Sequence, residues 1–329
     1  MEIDTQNGAS TNGEDHTKKL DALIVGAGAA GLYQLFLLKN QGLKVRAYDK
    51  ASPADGTRCW NRVAGTKFDS ESYIYHYLFS EQQCWDWNWG GHLPREAEFQ
   101  MWMTSVIDFL DLREDIQFET KITNAHYNED TKRWAVEVDR GEAIDTQFLI
   151  TCCGLPSAPP DDVCPGQDNL KSEIIDAGEG AFTRIDIRGR GGRSLTEDWC
   201  DEIRTTMGLQ VHGYPNLFTT AVPLAPSVAL CNMTNYLRQQ AEWINDCILF
   251  MRSQNSTVIE PTAAMEDDWV ANQEESAGAI QVSTANGWHL GSNLPGKSRC
   301  VLSYTGAAGT YRAKCEAVAQ SGYLGFEIR

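Results

Sequence analysis

Four residues near the amino end have the types and spacing for dinucleotide chemistry. Gly26, Gly28 and Gly31 stand at G-x-G-x-x-G spacing, with Ala29 and Ala30 between the last two, and Asp49 lies further along. Gly26 permits a tight turn. Gly28 lets backbone approach a pyrophosphate with no Cβ in the way, and Gly31 lets helix and strand pack closely. A helix beginning at Ala29 would offer unpaired N–H groups and the positive end of its dipole to phosphates. An acid in the position of Asp49 accepts hydrogen bonds from ribose hydroxyls.

The flanking pattern supplies the elements that must hold these groups. Leu23-Ile24-Val25 is a short apolar run that suits a buried parallel strand. Ala29 to Leu38 is apolar on nearly every face, as a helix pressed on a sheet should be, and Gly42 closes it. Lys44 to Tyr48 reads as a second strand ending at Asp49. Strand before, helix after and acid at the next strand end make one complete βαβ opening, a far more specific signal than the glycines alone.

The bulk properties set limits. A chain of 329 residues can bury a sizeable core. Its formal net charge of −17 argues against nucleic acid and anionic membrane surfaces as partners. No apolar run reaches the length of a membrane span, and Met1 to Thr17 is polar and acidic, unlike a secretory signal; a cytoplasmic protein is expected. The ten cysteines are scattered with no C-x-x-C pair, and the six histidines have no metal-type spacing, so reduced thiols and no metal are expected.

Further along, Phe68 to Tyr75 carries two carboxylates and two tyrosines. Trp85, Trp87 and Trp89 alternate, which places them on one face of an extended segment; a core or interface cap and the wall of a ligand pocket both fit. Glu96 to Leu112 predicts a helix with Phe99, Met103, Ile107 and Leu110 on one stripe. Ile116–Ile122, Trp134–Val138 and Ala143–Ile150 predict three strands forming a small antiparallel excursion, the last delivering Cys152-Cys153-Gly154 to the sheet's carboxyl edge. Thr183 to Arg193 alternates charge and glycine, which suits either a solvated hairpin or anion contact. Leu217 to Val222 predicts a buried strand, and Asn232 to Arg252 an amphipathic helix with Leu237, Ala241, Ile244, Ile248 and Met251 inward. Thr284 to Lys297 reads as a mobile loop and Tyr311 to Gly322 as a short helix.

Laid out in this way, the chain resembles the Baeyer–Villiger monooxygenases, flavoproteins that use FAD and NADPH to insert oxygen beside a ketone. One block of resemblance includes Gly56-Thr57, Trp60-Asn61-Arg62, Asp69 to Tyr75 and Leu149 to Pro159. A second includes Thr183 to Gly192, Gly213 to Phe218, Pro226-Ser227 and Asn286 to Lys297. The resemblance implies an α/β fold: a Rossmann-like FAD-binding domain with a parallel sheet and a small antiparallel excursion, completed by the C-terminal segment. The expected organisation is a disordered tail over 1–18, a first FAD-domain segment over 19–160, a linker over 161–182 and a second segment over 183–329. Relatives carry an inserted NADPH-binding domain where this chain has only the linker, and no second G-x-G-x-x-G occurs. The family fingerprint F-x-G-x-x-x-H-x-x-x-W is replaced by Leu170, Ser172, Asp176 and Gly180, and the active-site arginine of relatives is lost with the insertion. Arg58 and Ala64 replace a tryptophan and a proline, and Cys152-Cys153-Gly154 replaces Ala-Thr-Gly.

By the same resemblance Thr57, Arg58, Cys59, Trp60, Asp69, Tyr75 and Ile122 would line FAD beside the glycines and Asp49. Asp69 would sit near the isoalloxazine, tuning it or acting as a base on substrate. Trp288 would be a lid over substrate, or a leftover surface loop. Three functions follow: an FAD enzyme acting on a small hydrophobic ketone or polyketide- or terpenoid-like metabolite without the NADPH-driven cycle; a monooxygenase needing a separate reductase or partner subunit; and an inactive flavin-binding regulator. An uncovered surface at the lost domain would favour oligomers.

Overall fold

The computed structural model describes residues 17–52, 71–72, 87–154, 184–200, 202–221, 224–226, 233–278 and 304–329. The chain opens with β1 (Lys18–Val25), α1 (Ala29–Asn40) and β2 (Val45–Tyr48), the predicted βαβ start. β1 pairs in parallel with β2, Val25 opposite Tyr48. The helix closes where Gly42, at φ 75°, turns the chain and donates its N–H to the Lys39 carbonyl.

The next elements are α2 (Glu96–Phe109), β3 (Ile116–Gln117), β4 (Ile122–Asn128), β5 (Arg133–Val138) and β6 (Ala143–Thr151). After them come β7 (Asp186–Arg188), α3 (Leu195–Asp198), β8 (Leu217–Thr219), α4 (Met233–Ser253), β9 (Ile259–Pro261), α5 (Ala263–Gly278), α6 (Ala308–Gln320) and β10 (Phe326–Ile328). The main sheet runs β3-β2-β1-β6-β5-β4-β7, with β8 also on β6. The long strand β6 makes this possible. Its first half pairs antiparallel with β5 over Ala143 to Thr146, and its second half pairs in parallel with β8 over Leu149 to Thr151. The β4–β5 hairpin is thus the antiparallel excursion, and the β1, β2, β6 and β8 ends share one carboxyl edge.

Two cores form because side chains alternate across the sheet. Ala22 and Ile24 of β1, with Phe148 and Ile150 of β6, face a helical core holding α1, α2 and α4 residues. Leu23 and Val25, with Leu149, face a second core closed by Trp134, Trp199 and Tyr214. The predicted inward stripe of α4 is buried in full: Leu237, Ala241, Ile244, Ile248 and Met251 are at most 8% exposed. Each such leucine or isoleucine contributes about 1.5–3 kcal/mol through burial, so packing rather than propensity holds the helix. α1 docks on α4, and Tyr33 donates to Glu242 Oε1 at 3.0 Å, a carboxylate also held by Arg238 at 2.7 Å.

Several expectations need correction. The single strand Ile116–Ile122 is two strands with different partners: β3 pairs with β2 in parallel, and β4 pairs with β5 antiparallel. Between them Glu119 adopts φ 52° and the chain folds back on the end of β2, with Thr120 N–H on the Asp49 carbonyl. Thr183 to Arg193 is not a free hairpin. Asp186–Arg188 joins the sheet edge beside β4, and the arginines pair with this chain's own acids: Arg188 with Asp186, Arg190 with Glu260, Arg193 with Asp198. α2 stops at Phe109, because Asp111 turns left-handed at φ 51° so that Leu112 can be buried. α5 and the β9–β10 pair carried no clear sequence signal; α5 puts charge on most faces and buries little besides Trp269, Val270 and Gln273 beyond its first turn.

Candidate active site

At the carboxyl edge of β1 the glycine turn is sterically obligatory. Gly26 sits at φ 99°, and a Cβ there would lie 2.7 Å from the Cys152 carbonyl oxygen. A Cβ on Gly31 would lie 1.9 Å from the Gly26 carbonyl oxygen. Backbone fills both spaces, so no rotamer change relieves the contact. Gly28 is the N-cap of α1, in extended backbone at φ −74° and with no side-chain cap. Ala29, Ala30 and Gly31 form the first turn, which contains no acidic side chain to compete for an anion.

Asp49 ties this turn to the rest of the site. Its Oδ2 accepts the Ala27 N–H at 2.7 Å and its Oδ1 accepts the Ala51 N–H at 2.8 Å. Burial pushes its carboxyl above the ordinary carboxylate range, against the pull of those two N–H groups and of Lys50. Each oxygen keeps a lone pair for a hydroxyl donor. A buried carboxylate with spare acceptors, a bare helix N-terminus and a cradle that a Cβ would fill match the ribose and pyrophosphate of a dinucleotide.

Other site residues emerge only in three dimensions. Burial, then the nearby Arg184 charge, lowers the pKa of Lys50, while Cys153 and Asp49 raise it. Cys153 Sγ lies 3.7 Å from the Val25 carbonyl. Burial holds both Cys152 and Cys153 thiols at about 12, so they are inert as nucleophiles. Ile122 is 3% exposed at the start of β4, two residues beyond the Thr120–Asp49 hydrogen bond. Its side chain belongs to the second core. Glu71 pairs with His92 at 2.8 Å, and Ser72 Oγ donates to the Gly91 carbonyl at 3.0 Å. These contacts tie the segment after Asp69 to the tryptophan stretch. Trp87 and Trp89 are half-buried with exposed residues between and after them, and they pack edge to face 5.9 Å apart; Trp89 continues onto Trp102. They cap the helical core. Thr57, Arg58, Cys59, Trp60, Asp69, Tyr75, Trp85 and Trp288 lie outside the described residues.

Comparison with known proteins now bears on this site. The chain is 32% identical over 530 residues to acetone monooxygenase (methyl acetate-forming) of Gordonia sp. (strain TY-5), an alignment that reaches across 95% of this chain and 99% of that protein. The chain belongs to the Baeyer–Villiger monooxygenase family. Membership makes it a flavin-dependent oxidoreductase of the monooxygenase type. A Baeyer–Villiger monooxygenase of Pseudooceanicola batsensis is 41% identical over 202 residues, 59% of this chain and 36% of that protein. The closed crystal structure of cyclohexanone monooxygenase superposes with a TM-score of 0.88 at 20% identity, covering 95% of this chain and 99% of that one, and so shares its fold. No family model matches the chain. Since the chain has 329 residues, about 200 positions of the Gordonia alignment hold no residue of it.

Proposed function

We propose that this Baeyer–Villiger family member binds FAD and acts on a small hydrophobic ketone or related metabolite without the NADPH-driven cycle of a full-length relative. Support for the cofactor comes from the site itself. The α1 N-terminus would hold the pyrophosphate, Asp49 the ribose hydroxyls, and the Gly26–Gly31 turn would admit both. FAD supplies the redox chemistry. The residues of this chain bind and orient it, exclude water, and move protons. Asp69 is the residue we assign to proton transfer or to tuning the reacting end, and Trp288 to a lid over substrate.

The observation that carries the departure from the ordinary cycle is the number of unmatched positions: together they amount to about a domain, in a chain with one glycine motif rather than two. A nicotinamide delivered from solution loses the positioning that effective molarities of about 10⁵–10⁸ M measure. Ketones name the relatives' substrates, acetone and cyclohexanone among them, and an apolar ketone is the class we carry to this chain.

The test is spectroscopic. The purified protein should carry or take up a yellow cofactor, and NADPH added without oxygen should bleach it slowly. Rapid bleaching would sink the NADPH-independent reading in favour of the ordinary cycle. Slow bleaching that a separate reductase accelerates would favour the partner-dependent form. A colourless protein that refuses FAD would overturn the cofactor assignment. Turnover of a ketone panel without NADPH, abolished by Asp69→Ala, would support the catalytic reading; unchanged turnover in that variant would remove Asp69 from the chemistry.

A further inference from the structure

Cations gather around the ribose acid in a chain whose formal net charge is −17. Lys50 follows Asp49 directly. Thr120 N–H donates to the Asp49 carbonyl at 2.9 Å and Glu119 N–H to the Ala51 carbonyl at 3.2 Å. The two backbones therefore run side by side across Lys50 and bring Lys121 to the Asp49 end. Arg184 comes from another part of the chain. It stands two residues before Asp186, which lies level with Asn124 of β4, and so enters beside the start of that strand, where Lys121 is. Burial, then the charges of Arg184 and Lys121, push the Lys50 ammonium below its usual range, against the pull of Cys153 and Asp49. Lys50 and Arg184 are half-buried and Lys121 is exposed, so all three reach water and an arriving ligand.

The same residues border the phosphate cradle. Cys153, which acts on Lys50, has its Cα 3.6 Å from where a Gly26 Cβ would lie. Asp49 Oδ2 accepts the Ala27 N–H of the glycine turn. A doubly charged pyrophosphate bound for the α1 N-terminus must approach an acidic protein, and it arrives here. Asp139, whose Oδ1 accepts the Lys121 N–H at 3.2 Å, offsets part of the local charge. One cation acting on a pyrophosphate from about 10 Å through water changes the encounter rate by about fourfold before screening.

We infer that Lys50, Lys121 and Arg184 form a cationic collar that captures the pyrophosphate of the incoming FAD and sets how fast it binds, an inference that rests on the FAD reading above. Capture at this range needs charge rather than a fixed hydrogen bond. It therefore acts on the association rate and leaves the dissociation rate to Asp49 and the glycine turn.

The test is stopped-flow binding of FAD to the full chain freed of nucleotide, followed by flavin fluorescence, across a series of salt concentrations. The native association rate should fall by roughly tenfold from low to high salt. At low salt, Lys121→Gln should slow association by about fourfold and Lys121→Glu by about fifteenfold, since reversal counts twice. Lys121→Arg should restore the native rate, and Asp139→Asn should raise it. Dissociation should stay within about twofold throughout, and the variants should converge at high salt. Arg184→Gln serves as the second site if Lys121 variants fail to fold, with the same loss at low salt. A native association rate that ignores salt overturns the inference, and so do Lys121→Glu and Arg184→Gln proteins that bind at the native rate. A loss carried by faster dissociation, or one that Lys121→Arg does not restore, also overturns it, because the residues would then act through contact or folding. FAD binding that ignores salt leaves the proposed cofactor standing, whereas a native protein that binds no FAD overturns the proposed function and the collar with it.

Discussion

Replacing Asp49 by asparagine tests the site at its joint. The native carboxylate serves two backbone donors, Ala27 N–H at 2.7 Å and Ala51 N–H at 2.8 Å, one on each oxygen. Asparagine has one acceptor oxygen and one NH2 group, so it can satisfy one of these donors and must present a donor to the other. A hydrogen bond to a charged group contributes about 1.5–3 kcal/mol, and the abandoned N–H adds a desolvation cost of similar size. Relief of the buried charge offsets part of this, since burial already raises the Asp49 pKa. We expect a net loss of about 2–3 kcal/mol, read by urea unfolding followed through tryptophan fluorescence. FAD affinity should fall by about 10- to 100-fold, because the turn that carries Gly28 loses its tether and the ribose loses a charged acceptor. The pH dependence carries a sign. In the free protein the raised pKa means that Asp49 holds its proton above the ordinary carboxylate range, and stability falls as pH rises through that window. Hydroxyl donors favour the charged form, so native FAD affinity should rise over the same window, and the asparagine variant should show no such rise. An asparagine variant of native stability and unchanged FAD affinity would refute the tether and the ribose role together.

Gly31→Ala should lose FAD binding and at least about 1–3 kcal/mol of stability, since its Cβ would meet the Gly26 carbonyl oxygen at 1.9 Å; calorimetry and FAD titration check it. Glu266 accepts the His212 N–H at 2.8 Å, and burial raises its pKa. Native stability should therefore decline as pH rises from the ordinary carboxylate range through that raised pKa, and Glu266→Gln should flatten the decline in urea melts. Ile244→Ala, at a fully buried position of α4, should cost about 2–5 kcal/mol in the same assay. Peptide mapping after brief alkylation near neutral pH should find exposed Cys200 labelled and Cys152 and Cys153 unlabelled, since burial holds both thiols at about 12.

Local chemistry made the first part of the chain legible. The glycine spacing, the apolar run before it and the acid after it each have one physical use, so β1, α1, β2 and Asp49 were readable from neighbours in sequence. The α4 stripe was readable for the same reason, because a period of 3.6 with a polar back has one stable reading. Trp87 and Trp89 were readable as one face, but not as a cap on Trp102, which comes from a separate helix.

Partner choice was settled by tertiary structure. Ile116 to Ile122 is apolar enough for one strand, and only the competition between β2 and β5 for its two ends breaks it. Within Thr183 to Arg193, Arg188 pairs with its near neighbour Asp186, whereas Glu260 reaches Arg190 only through the fold. Thr206 and Gln210 become directly opposed, fully buried neighbours only when a bridge aligns them beside β8. By itself the sequence determined that a dinucleotide is held, since that depends on residue types at short range. The structure decided what surrounds it, since burial, orphaned polar atoms and ion pairs are properties of residues far apart in the chain.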